Sequence, residues 1–116
     1  MIDSRPVPGA LAHSEAHDLD ALIDLLPSSV VSRTLLRRPT GNITLFAFDE
    51  GQGLSEHTAP FDAWVQMISG TAELTIGGQA VTARAGQVVV MPAGVPHAVR
   101  AVSPLKMLLV MIRDAG

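Results

Sequence analysis

Beyond Ser29 the chain never runs far before a glycine or a proline interrupts it. This punctuation narrows the fold more than any other feature, because it leaves room only for short elements joined by tight turns. Between the breaks stand eight apolar runs: Val30–Leu36, Ile43–Phe48, Trp64–Ile68, Ala72–Ile76, Ala80–Arg84, Val88–Met91, Ala98–Val102 and Leu105–Ile112. A proline and a glycine mark the turn between the first two, and Gly77-Gly78 makes a tight hairpin into Ala80. Eight short strands at this spacing predict an all-β chain, a double-stranded β-helix or jelly-roll barrel.

The segment before Pro27 has a different period. Leu19, Leu22, Ile23 and Leu26 recur at helical spacing, Glu15, Asp18 and Asp20 suit the positive end of a helix dipole, and Pro27 ends the pattern. The spacing predicts one short helix over about 14–26, outside the barrel. Residues 1–12, with two prolines and few apolar anchors, read as an irregular arm ahead of a single domain over 13–116. His13 and His17 stand four apart on the expected helix with no third ligand near them, and read as solvated surface histidines.

Composition bounds the partners. Hydrophobic residues make up 47% and charged residues 16%, more apolar surface than one small core uses. In Leu105–Ile112 only Lys106 is polar, so both faces of that strand call for cover, and a homodimer is expected. Net charge is −3 with no basic cluster beyond Arg37-Arg38, which argues against nucleic acid. The sequence holds no cysteine, no leader-like apolar stretch and no run long enough for a membrane span. A cytoplasmic protein with a small-molecule partner is the expectation.

The chemistry concentrates between Gly51 and Ala101. Gly51, His57 and Gly70 frame one segment, and Gly86, Pro92, Gly94 and His97 frame a second. This pair resembles the two sequence motifs of the cupin superfamily, specifically its small single-domain, RmlC-like members. The second motif is matched in register, except that Ala101 replaces its asparagine. In the first, Ala59 stands where a second histidine belongs and Ala63 where a glutamate belongs. The resemblance implies a site of three histidines and a glutamate around iron, manganese, nickel or zinc, of which this chain keeps His57 and His97. Glu56, Asp62 and Gln66 are the nearby candidates for a third ligand.

Strand parity turns His57, Ala59, Ala63, Val65 and Met67 inward from one segment, and His97, Val99 and Ala101 from the other. The expected pocket is therefore apolar, walled by Ala59, Ala63, Val65, Met67 and Val99 around two histidines. Met67, Met91, Met107 and Met111 read as core fillers. Two functions stay open. One is an enzyme acting on a small organic acid or aromatic compound, through a weakly held divalent metal or through the histidines as acid and base. The other is a ligand-binding or sensory protein with neither metal nor turnover.

Overall fold

The short runs fold as strands, and side-chain alternation sorts them into two layers. The structure is a computed structural model in which residues 8–113 are described. Nine strands lie among these residues: β1 (Val30–Arg38), β2 (Gly41–Phe48), β3 (Gly53–His57), β4 (Asp62–Ser69), β5 (Thr71–Ile76), β6 (Gln79–Arg84), β7 (Val88–Met91), β8 (His97–Ala101) and β9 (Leu105–Ile112). They form two antiparallel sheets, one in the order β1-β2-β9-β4-β7 and the other β3-β8-β5-β6. Eight of the nine match the expected runs, and β3 is the addition.

The inner faces of the two sheets make the main core. Phe48, Val65, Met67, Leu105 and Met107 of the larger sheet pack with Ala72, Leu74, Val99 and Ala101 of the smaller, and all are buried. Burying side chains of this size contributes about 1.5–3 kcal/mol each relative to leaving them exposed. Gly70, between β4 and β5, has a φ of +76°, and a Cβ there would press into the backbone of Pro104 and Leu105. Only glycine fits that turn without strain.

The helix expected over residues 14–26 does not form. Among the described residues the only helical element is a single 3-10 turn at Leu19–Leu22. Ser14 has a φ of +64° and Ile23 is extended, so helical backbone breaks off on both sides. Tertiary bonds explain why. The Leu22 carbonyl, which a helix would give to Leu26, accepts from Arg33 Nη1 at 3.0 Å. Arg33 Nε donates to Gly9 O, and Leu11 N–H donates to Leu35 O. A helix of this length is marginal in isolation, so docking onto β1 decides the conformation.

The apolar pattern still finds a surface. Leu11, Leu19, Leu22 and Ile23 close a second cluster against Leu35, Leu45, Ala47 and Leu108 on the outer face of the larger sheet. Lys106 donates to the Asp20 carbonyl at 2.7 Å and meets its carboxylate at 3.2 Å. Cover that sequence reasoning assigned to a second copy thus comes partly from the chain's own N-terminal segment. On the other half of the same face, Trp64, Val88, Val90 and Ile112 remain exposed. Trp64 donates from Nε1 to Gln66 Oε1 at 3.3 Å.

Candidate functional site: a histidine pair at the mouth of an apolar cavity

His97 opens β8 after the turn Pro92–Pro96, and that turn is held from three sides. Gly94, at φ +76°, donates its N–H to Ala59 O at 2.9 Å. Ala93 N–H donates to Asp62 Oδ1 at 2.8 Å, and Gly77 N–H donates to Pro96 O at 2.8 Å. His97 itself is 4% exposed. The register Ile76↔His97↔His57 lays the three side chains in one row across the smaller sheet.

His57 reaches that row through an irregularity. Leu54 pairs with Val99 and His57 with His97, so three steps along β3 match two along β8. Side chains an odd number apart face opposite ways on a regular strand. The extra residue is a β-bulge, and it re-aims His57 to the same side as Leu54. His57 is exposed, at the mouth, whereas Leu54 is half-buried.

The two imidazoles meet with His97 Nε2 3.1 Å from His57 Nε2, their rings crossing at 70°. Each Nδ1 faces a backbone carbonyl two residues back, His57 toward Ser55 O at 3.0 Å and His97 toward Val95 O at 3.2 Å. A carbonyl only accepts, so a ring protonated at Nδ1 donates to its own carbonyl, and the Nε2–Nε2 contact is a hydrogen bond when one ring carries its proton on Nε2.

Below the pair lies a cavity of about 490 Å³ including its open mouth. Leu54 and His57 come from β3, Ala59 and Phe61 from the loop after it, Ala63 from β4, Met91 from β7, His97 and Val99 from β8, and Met107, Leu109 and Met111 from β9. Among the described residues, the two histidines are the only polar side chains in that wall. Ala59, Ala63 and Val99 stand in it, as parity expects. Val65 and Met67 do not; they are 0% and 2% exposed, deeper in the inter-sheet core. Alternation gives a residue its face but not its depth. Sequence reasoning also missed Leu54, Phe61 and Leu109, and it read Met91, Met107 and Met111 first as core filler and second as an adaptable cavity wall. The alternation of β9 was the available signal, since Met107, Leu109 and Met111 share one face.

The candidates for a third metal ligand are elsewhere. Glu56 is exposed, Asp62 Oδ1 is engaged by Ala93, and Gln66 accepts from Trp64. Among the described residues no three His, Cys, Asp or Glu side chains come together as a metal-holding group. A non-haem iron site wants two histidines and a carboxylate on one face, and zinc wants a filled tetrahedron. The donors present do not fit the iron, manganese, nickel or zinc site that the motifs imply.

Comparisons with known proteins agree with the fold. The sequence model of the Cupin domain matches residues 44–112. A conserved protein of unknown function from Streptococcus pyogenes is 36% identical, with a TM-score of 0.88 over 98% of this chain and 100% of its own. A cupin superfamily protein from Desulfitobacterium hafniense is 27% identical, with a TM-score of 0.83 over 90% of this chain and 95% of its own. A cupin 2 conserved barrel domain protein from Leptotrichia buccalis is 30% identical, with a TM-score of 0.81 over 84% of this chain and 47% of its own. No curated protein sequence is significantly similar to this chain. The chain belongs to the cupin family, as a small RmlC-like domain. No helix among the described residues is long and apolar enough to cross a membrane.

Proposed function

We propose that this cupin binds a small, mostly apolar organic molecule through a single polar or anionic head group, with His57 and His97 as the recognition pair. The observation that carries this reading is the composition of the cavity wall: two adjoining imidazoles and, among the described residues, no other polar side chain. Small-molecule sites combine apolar walls with a few placed polar groups, as this wall does. Alanine at positions 59 and 63 removes the bulk and charge of two inherited ligand positions and leaves room where a metal centre would stand. Binding without turnover is favoured over catalysis because, among the described residues, no further acidic or basic side chain lines the cavity beside the pair.

The test is calorimetric titration of the metal-free protein with short aliphatic and aromatic carboxylates, each paired with its alcohol of matched shape. Carboxylates should bind better than their alcohols. His57→Ala and His97→Ala should each weaken them by roughly 1.5–3 kcal/mol, the worth of a hydrogen bond to a charged group. Binding unchanged in both variants would place the ligand site elsewhere.

A further inference from the structure

The cavity wall runs sideways into a surface of opposite character. One row of cross-strand partners crosses the larger sheet: Arg37, Asn42, Met111, Ala63 and Met91. Residues directly opposite each other share a face, and the last three of this row line the cavity. A second row repeats the pattern, with Thr34 and Thr44 leading to Leu109 of the wall. A bulge between Thr34 and Leu36 puts both Thr34 and Arg37 on this face, although they stand three apart. Side-chain contacts agree. The Thr34 and Thr44 hydroxyls lie 3.5 Å apart, and Thr44 Oγ1 donates to Asn42 Oδ1 at 3.3 Å.

The inner face is therefore apolar on β9, β4 and β7 at this end, and turns polar on β2 and β1. Thr44 is 8% exposed, a buried hydroxyl where a sandwich core would take an apolar side chain. The strip ends on Arg37, which is exposed. Among the described residues the only ion pair joins Lys106 to Asp20, so none of their carboxylates neutralises Arg37. Arg38 belongs to the other face: it pairs with Gly41, in the row of exposed Ile112, and its Nη1 donates to Arg37 O at 2.7 Å. Neighbouring strands lie about 4.8 Å apart, so Asn42 stands one such step from Met111 and Arg37 about 10 Å from it. A ligand that leaves the cavity over Met111 meets these two side chains next.

We propose that Arg37, with Asn42 beside it, binds a second acidic group, so that the ligand is a diacid with an apolar body between its ends. The cavity wall takes one head group at the histidine pair, and Arg37 takes the end that emerges past Met111. The inference rests on the histidine pair reading the first of these ends. Guanidinium suits the second because its planar fork donates two parallel hydrogen bonds to a carboxylate. Exposure keeps the gain modest and makes it sensitive to salt.

The experiment is calorimetric titration of the full chain with linear dicarboxylates from succinate to suberate, each against the monocarboxylate of equal carbon number. The best-fitting diacid should bind about 5–10-fold more tightly than its monoacid at low salt, and this preference should shrink as salt is added. Arg37→Gln should erase the preference, Arg37→Lys should keep part of it, and Arg38→Gln should leave it intact. Diacids no tighter than monoacids at every length, or a preference that survives Arg37→Gln, would overturn the second subsite. So would an equal loss in Arg38→Gln, which would assign the preference to net charge. In each of these cases monoacid binding that depends on His57 and His97 leaves the histidine reading standing. Binding of neither series would sink both.

Discussion

The two strands that carry the paired histidines are built differently. β8 lies inside its sheet, bonded to β5 on one side and β3 on the other, and the turn that launches it is tied to three other segments. β3 is an edge strand with one neighbour, a bulge in its middle and an exposed histidine at its end. One half of the site is therefore fixed by the fold, and the other half is held chiefly by its fit to the first. A pocket assembled this way can admit a ligand by moving β3 while leaving β8 and the core undisturbed.

The sharpest way to break this asymmetry is Gly53→Ala. A Cβ at Gly53 would press into the Val99 carbonyl oxygen, so β3 could not keep its approach to β8. We expect a loss of about 3–4 kcal/mol in urea unfolding, together with loss of carboxylate binding. Tolerance of alanine there would mean that β3 holds itself in place. Next in size is the contrast between the histidines themselves. His97→Ala removes a buried ring and leaves Val95 O without its donor, at roughly 2–4 kcal/mol. His57→Ala, at an exposed position, should change stability by no more than about 0.5 kcal/mol. Equal losses in the two variants would refute the comparison.

The smallest effect concerns the loop that feeds β3. Asp49 accepts hydrogen bonds from the backbone N–H of Ser28 at 2.6 Å and of Glu50 at 2.9 Å. These bonds, Ser28's first, hold its carboxyl below the ordinary aspartate value. A depressed folded value gives stability that is present above the ordinary value of about 3.9 and is lost as pH falls through the lowered one. Asp49→Asn should therefore lower the unfolding midpoint near neutral pH, and the gap from wild type should close in acid. A gap that is constant with pH would assign the effect to packing alone. Asp49 is partly exposed and solvent screens its interactions, so the effect should be slight.

The same contrast explains what could be read in the sequence. Regular strands announce themselves through alternation and through the glycines that end them, which is why eight of the nine were legible and why Ala63 and Val99 were placed in the wall. Gly53–His57 was not, because it is short, largely polar and bulged, and the bulge overrides the parity that would set Leu54 against His57. The helix over 14–26 failed for a non-local reason, since the carbonyls of Leu22 and Asp20 are claimed by Arg33 and Lys106 and its apolar side chains by the outer face of the larger sheet. Even so, its spacing correctly marked Leu19, Leu22 and Ile23 as residues needing a surface.

The place of β9 has a consequence for how the protein comes into being. The latest of the described strands lies at the centre of the larger sheet, with Phe48 facing Leu105 across one seam and Val65 facing Leu109 across the other. Until residues 105–112 have left the ribosome, β2 and β4 have no neighbour between them, and both present open edges and half a core to the cell. Hairpins such as β1–β2 and β5–β6 can form early, but joining them waits for a pairing between residues far apart in sequence, the kind that closes slowly. Until β9 is made, the nascent chain therefore exists as separate hairpins, and its hazard is association with other chains before that strand arrives.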